Sequence, residues 1–298
     1  MPVDTPGIRF VVLASPKSGT TWAKHMLDAH PEVSCAETHP FGPVYKHSET
    51  GRPSVTVERC AFWTAEAVST AAGLDVSPDE RRAIGDEITR GYVDAGAAAM
   101  RRVTGKPVYG EKLTPYPGVA AHVVERLNWY DKDMPIVHLV RDPRDMAVSC
   151  SCQLAWARDD AERKATVESG RAFDPDVRLA CEHWVEVQEA VLGSGLPNVL
   201  RVRYEDMLDS PRPMLTWLFE RLGVDAEDAT VDACVDAGRF EVLSGGRDRG
   251  DEDRTSFFRS GTAGDWVRWL SAAQAHWIED RCGALLEAFG YERPPAAV

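Results

Sequence analysis

Ser15-Pro16-Lys17-Ser18-Gly19-Thr20-Thr21-Trp22 follows an apolar run from Ile8 to Ala14, broken only by Arg9, and leads into a helical pattern near Thr21. A strand, a tight loop of small residues and a helix N-terminus, in that order, form an anion cradle. Backbone N–H groups and the positive end of the helix dipole converge on one point. An ATP-hydrolysing loop reads G-x-x-x-x-G-K-[ST] and sets its lysine directly after the second glycine. Here Thr20 follows Gly19, and the lysine is Lys17, two positions before that glycine. The loop is expected to hold a phosphate-like group, with its lysine approaching from a different place than in an ATPase. A second polar cluster, Arg141-Asp142-Pro143-Arg144-Asp145-Met146-Ala147-Val148-Ser149, follows the apolar stretch Pro135–Val140. Arg141 falls at the carboxyl end of a buried strand, where open α/β sheets bind ligands. Ser149 lies about two helical turns further on.

The elements that position these groups are short. Ile8–Ala14, Pro107–Gly110, Pro135–Val140 and Val199–Arg203 are expected strands. The first and third are almost wholly apolar, as buried parallel strands are. Helices are expected from Thr21 to His30, ending at Pro31, and from Pro143 to Trp156, with proline in the first turn. From Val177 to Leu192, the residues Val177, Ala180, Cys181, Trp184, Val187 and Val191 share one face. The last helix opens with a capping box, Ser271 and Gln274, and stops at Gly290. This alternation implies an α/β fold, a mostly parallel central sheet flanked by helices on both sides, in one domain over residues 1–298. Two polar stretches, Ala157–Asp176 and Ser244–Ser256, interrupt the pattern as surface loops or as lids over a cleft.

The loop at 15–22 resembles the 5′-phosphosulfate loop of sulfotransferases that use 3′-phosphoadenosine 5′-phosphosulfate (PAPS). The Arg141–Ser149 block resembles the 3′-phosphate segment of the same family. Phe258-Arg259-Ser260-Gly261-Thr262-Ala263-Gly264-Asp265-Trp266 is similar to its C-terminal R-K-G-x-x-G-D-W segment. Ser260 departs from that pattern, since lysine is usual there; one cation is lost, and the resemblance then puts more of the phosphate contact on Arg259. Tyr204-Glu205-Asp206 resembles the Y-E-D segment whose tyrosine approaches the adenine, and Trp22 corresponds to the aromatic residue that stacks on it. The resemblance implies a P-loop-NTPase-like three-layer fold and a nucleotide site made of Lys17, Ser18, Gly19, Thr20, Thr21, Trp22, Arg141, Ser149, Tyr204, Phe258, Arg259, Ser260 and Gly261. Trp266 and Trp269 read as packing residues.

On the acceptor side, His30-Pro31-Glu32-Val33 through Glu37, His39 and Phe41 resembles the H-P-x-V…E-x-H-F-F stretch of the carbohydrate and bacterial branch. In that branch the glutamate is the general base, which favours Glu37 over His39. Gly110-Glu111-Lys112 is similar to a G-E-K stretch and makes Lys112 a second cation facing the sulfuryl group. Lys17, Glu37, His39 and Lys112 are thus the candidate catalytic residues. The resemblance implies in-line transfer of a sulfuryl group to a hydroxyl or amine, metal-independent, with Lys17 neutralising the bridging oxygen as PAP (3′-phosphoadenosine 5′-phosphate) leaves. The rival readings are a P-loop kinase or NTPase, which lacks its Walker lysine here, and a nucleotide-binding protein without activity.

Composition bounds the partners. The 298 residues, 44% of them hydrophobic, can bury a substantial core. A net charge of −13 argues against nucleic acid and long anionic glycans, while leaving room for one small anion in a basic cleft. Cys35, Cys60, Cys150, Cys152, Cys181, Cys234 and Cys282 are scattered and form neither a redox pair nor a zinc site, as expected of reduced thiols in the cytoplasm. No apolar run reaches membrane-spanning length, and Met1–Gly7, with Asp4, has no signal-peptide pattern. Rich use of Ala, Arg, Gly and Asp fits a high-GC bacterium. The acceptor is then a small molecule, lipid or sugar, with Phe41, Tyr45, Phe62 and Trp63 as aromatic candidates for its pocket. A homodimer is left open.

Overall fold

The structure, a computed structural model, describes residues 7–41 and 57–291. In chain order it runs β1 (Phe10–Leu13), α1 (Thr20–Ala29), β2 (Val33–Ala36), α2 (Val57–Ala71), α3 (Pro78–Thr104) and β3 (Val108–Leu113). There follow α4 (Ala120–Tyr130), β4 (Ile136–Val140), α5 (Pro143–Ala157), α6 (Ala161–Glu168), α7 (Asp174–Leu192) and β5 (Val199–Arg203). The chain continues through α8 (Tyr204–Asp209), α9 (Pro211–Leu222), α10 (Asp228–Ala237), α11 (Phe240–Ser244), α12 (Trp266–Trp269) and α13 (Ala272–Ala288). The strands pair in the order β2-β3-β1-β4-β5, every pair parallel.

The apolar character of β1 follows from its place at the centre. Successive side chains point to opposite faces. Phe10 and Val12 pack with α1, α9 and α10, whereas Val11 and Leu13 pack with α3 and α4. A third cluster joins α5, α7 and α13 through Trp184, Ile278 and Leu286. Cys35, Cys152, Cys181, Cys234 and Cys282 are buried in these layers, and Cys60 is exposed.

The four expected strands are present, Val199–Arg203 as expected and the other three with shifted ends. β3 runs on to Leu113, so Glu111 and Lys112 belong to the strand rather than to the turn after it. β2 was not expected. Val33-Ser34-Cys35-Ala36 is too short to show a period, yet it caps the sheet edge by pairing with Val108–Glu111. The polar stretch 157–176 is not a loop throughout. Asp160 caps α6 by accepting from the Arg163 amide, and the Arg163 side chain pairs with Asp160 and Asp176. Charge pairing there replaces the apolar periodicity that would have marked a helix. Both sides of the capping box at Ser271 and Gln274 form. None of the described helices is long and apolar enough to cross a membrane.

Gly110 permits the close packing of β3 against β1. A Cβ placed there would lie 2.2 Å from the ring of fully buried Phe10. Gly110→Ala is therefore expected to destabilise the fold by about 1–3 kcal/mol through overpacking. Urea unfolding should show a lower midpoint at unchanged slope. An unaltered midpoint would mean that Phe10 has room to move.

Candidate active site

The chain leaves β1 toward β2 and β3 on one side and reaches β4 on the other. The carboxyl ends of β1 and β4 therefore flank a crevice where connections run in opposite directions, the usual ligand position in open α/β sheets. The Ser15–Thr21 loop leaves β1 at this point, and Arg141 ends β4 beside it. Two residues of the loop take left-handed backbone angles: Gly19 at φ 91° and Lys17 at φ 67°. At Gly19 only glycine fits, because a Cβ would meet the Tyr204 ring at 2.5 Å. Thr20 then opens α1, whose first amides have no side-chain cap and face the crevice. The Ser18 hydroxyl is buried and has no partner among the described residues. An anion in the loop would supply the acceptor it lacks.

Lys17 is only partly buried, but its ammonium sits 4.0 Å from the centre of the Phe257 ring. Burial and then the neighbouring Arg141 charge lower its pKa from the ordinary lysine value to about 8. The Arg141 guanidinium is buried. It donates to the Lys17 carbonyl at 3.1 Å and the Thr262 carbonyl at 3.3 Å, and lies 4.4 Å over the Tyr204 ring. Its Nε has no acceptor among the described residues. Burial works against this charge, while Tyr204, Asp145, Glu205 and Asp142 around it favour the charged form and prevail.

The same cleft is lined by Lys17, Gly19, Thr20, Thr21 and Trp22 on one side and by Arg141, Ser149 and Tyr204 on another. Trp22 is fixed by its indole N–H to the Gly238 carbonyl at 2.8 Å and meets Tyr204 edge-on. The C-terminal segment closes the cleft with Phe257, Phe258, Arg259, Ser260, Gly261 and Thr262. Asp145 at the start of α5 secures that segment, accepting from the Gly264 amide at 2.6 Å and the Trp266 amide at 3.0 Å. Arg259 is ion-paired with Glu252 and Asp265, and the Ser260 hydroxyl donates to Asp265 at 2.9 Å. The Asp265 carboxyl resists the cost of burial. Its bonds to Arg268 and Ser260 and the Arg259 charge bring its pKa down to about 2. Trp269 is buried in the core, as a packing residue should be.

The two polar stretches meet, and the second of them covers this cleft. Arg254 donates to the carbonyls of Val167 and Glu168 at the end of α6, and Trp156 donates to the Arg254 carbonyl. Residues 244–258 therefore form an ordered cover braced from α5 and α6.

Glu37, His39 and Lys112 come together at the carboxyl ends of β2 and β3. Lys112 Nζ lies 2.6 Å from Glu37 and His39 Nε2 lies 3.5 Å from it. Burial would raise the Glu37 pKa, but the bonds to His39 and Lys112 outweigh it and lower it. Lys112 also donates to the Thr21 hydroxyl at 3.3 Å, which joins this cluster to the anion loop. Beneath it, buried Glu111 accepts from the Thr38 amide at 3.0 Å and the Thr38 hydroxyl at 2.6 Å, with the Tyr109 hydroxyl as a further donor. This network fixes the backbone between Glu37 and His39, where His39 takes φ 53°. Of the aromatic residues expected at an acceptor pocket, Phe41 is buried against Tyr130, Phe62 and Trp63 are exposed, and Tyr45 lies outside the described residues.

Every site residue anticipated in the sequence thus sits on the cleft, within its loop, or in the cluster beside it. Phe257, Phe240, Leu243, Gly238 and Arg249 also line the cleft and were not anticipated. Only the Gly238 and Phe240 positions carry a trace in the sequence, as the breaks at either end of α10 and α11.

Comparison with known proteins agrees with this geometry. Residues 8–290 match the family described as Sulfotransferase domain. A cytosolic sulfotransferase of Arabidopsis thaliana is 24% identical over 167 residues, 48% of this chain and 48% of that protein. The chain thus spans about half the length of the curated relative it matches. Among solved structures, the sulfotransferase domain of the Synechococcus olefin synthase superposes with a TM-score of 0.51 at 20% identity, covering 97% of both chains. A mouse sulfotransferase complexed with PAP gives 0.53 at 17% identity, over 96% of this chain and 90% of that one. The fold is shared with these proteins, and with its family match over nearly the whole described length, the chain belongs to the sulfotransferase domain family.

Proposed function

We propose that this protein transfers a sulfuryl group from PAPS to a hydroxyl or amine of a small-molecule, lipid or sugar acceptor. The observation that carries this reading is the division of the cleft. A βα loop with Lys17 forms one wall, and buried Arg141 with Ser149 forms the next, with Trp22 and Tyr204 beside them. Such a cleft suits an adenine nucleotide whose two phosphates are held by different segments, rather than a polyphosphate running along one loop. The mouse relative complexed with PAP supports the same ligand. The unpartnered Ser18 hydroxyl and Arg141 Nε are the polar atoms such a ligand would satisfy.

PAPS supplies, when bound, a sulfuryl electrophile on its 5′-phosphate. The α1 amides and the Thr20 and Thr21 hydroxyls would hold that phosphate, and Lys17 would face the oxygen on which charge develops. Phe257 keeps water from the Lys17 ammonium, which strengthens its field. Glu37 would take the proton of the acceptor hydroxyl, and Lys112, shared between Glu37 and Thr21, would orient it. Because Lys112 and His39 lower the Glu37 pKa, this carboxylate is ionised throughout the neutral range. The kinase reading finds no support, since the loop has no lysine after Gly19.

Incubation with sulfate-labelled PAPS and a panel of alcohol, phenol, amine and sugar acceptors should yield labelled product and one PAP per transfer. Label staying on the nucleotide with every acceptor class would refute the reading. With an alcohol acceptor, Glu37→Gln should lower kcat by about 10²–10⁴-fold, and His39→Ala by less. The reverse ranking would make His39 the base.

The Lys17 charge adds a pH prediction. Its folded pKa lies near 8, below the 10.5 of the exposed side chain, so the free protein loses this cation above about pH 8. Accordingly kcat/KM should fall above pH 8. A bound anion restores the proton, so the alkaline limb of kcat should lie at higher pH. The unfolded chain binds the extra proton between these two values, so this group makes stability rise with pH there. A fall in activity in that window is thus not unfolding through Lys17. Coincident alkaline limbs for kcat and kcat/KM would contradict the assignment.

A further inference from the structure

The cover over the cleft and the segment that follows it, residues 244–268, contain five arginines, and four of them hold the protein together. Arg247 donates to the carbonyls of Asp251, Arg259 and Phe258 and to the Ser256 hydroxyl. Arg254 holds the end of α6. Arg268 pairs with Glu252 and Asp265. Arg259, the residue on which the sequence motif places the phosphate contact, is paired with the same two carboxylates. Its charge is therefore largely neutralised where it lines the cleft. Ser260 stands where a lysine would supply a second cation, and its hydroxyl is bonded to Asp265 and Thr262.

Arg249 is the exception. It lines the cleft, is exposed, and has no hydrogen bond or ion pair with any described residue. Its position is set by the backbone next to it: the Gly250 amide donates to the Ser260 carbonyl at 2.9 Å, and the Asp253 amide donates to the Arg259 carbonyl at 2.9 Å. Arg247 tightens the same turn against residues 258 and 259. Residue 249 is thereby held alongside residue 260 on a braced loop.

We propose that Arg249 is a cofactor-binding residue that supplies, from the covering loop, the cation missing at position 260, and that it recognises the 3′-phosphate of the nucleotide. Arg141 and Ser149 approach that phosphate from the sheet side and Arg249 from the cover. An arginine here binds a phosphate in a forked geometry and needs no titration to stay charged. The proposal rests on the reading of the cleft as a PAPS site and adds to it the residue that discriminates between nucleotides with and without a 3′-phosphate.

Calorimetry with PAP and with AMP separates the two. The wild type should bind PAP more tightly than AMP. Arg249→Ala should weaken PAP binding about tenfold, the size of a charge-assisted contact at an exposed edge, and leave AMP binding within twofold. Retained AMP binding also shows that the variant is folded. Adding Ser260→Lys to Arg249→Ala should recover most of the lost PAP affinity. If Arg249→Ala keeps the full preference for PAP, the proposal fails while the cleft reading stands. Equal loss for PAP and AMP would make Arg249 a brace of the cover, which also overturns the proposal. If the wild type itself shows no preference, both readings fall together.

Discussion

A buried guanidinium without a carboxylate of the described residues in contact organises this molecule. Removing such a charge from water costs several kcal/mol, and the structure offsets it with two backbone carbonyls, an aromatic face and acidic groups at longer range. The carbonyls and the aromatic face belong to three separate parts of the chain: the anion loop, the C-terminal segment and the start of α8. Arg141 therefore ties them together, and the Trp184 indole, which donates to its carbonyl at 3.0 Å, holds its backbone against α7. The unmet Nε leaves this centre open to an anion. Position at the end of β4, beside the loop that follows β1, puts the opening in the crevice the sheet topology creates.

The cluster of Glu37, His39 and Lys112 is built on a different principle. Its charged groups satisfy one another: Glu37 is held by Lys112 and His39, and Lys112 reaches Thr21. Burial raises the Glu111 pKa in spite of its bonds to Thr38 and Tyr109. Buried polar networks of this kind are costly when incomplete and rigid when complete. The outcome is a fixed turn from Glu37 to His39 set against the anion loop, so that a carboxylate and a cationic loop lie together at the carboxyl ends of the strands. On the proposed reading, this spacing sets where an acceptor hydroxyl must lie.

Much of the cleft is legible in the sequence because its chemistry is local. A loop between a strand and a helix, an arginine ending an apolar strand and a glycine needed at Gly19 all leave marks within a few residues. β2 is less legible, since Val33–Ala36 is stabilised by pairing with β3 rather than by its own pattern. α6 escapes for the opposite reason: its helix is held by Asp160, Arg163 and Asp176, and its apolar content is low. Arg249 and Phe257 could not be assigned from spacing. They reach the cleft only because the turn from 247 to 259 folds back on itself, and a surface arginine in a Gly- and Asp-rich stretch looks the same whether or not it faces a ligand. The paired state of Arg259 was hidden likewise, because Glu252 and Asp265 flank it in the chain without showing which group they face.

A crystal structure with PAP bound is the most direct test of the central claim, that the cleft separates two phosphates. The 5′-phosphate should lie against residues 15–21 and the 3′-phosphate against Arg141 and Ser149, with the base between Trp22 and Tyr204. Density with the 5′-phosphate outside the loop, or with the 3′-phosphate turned to solvent away from Arg141, would contradict the account.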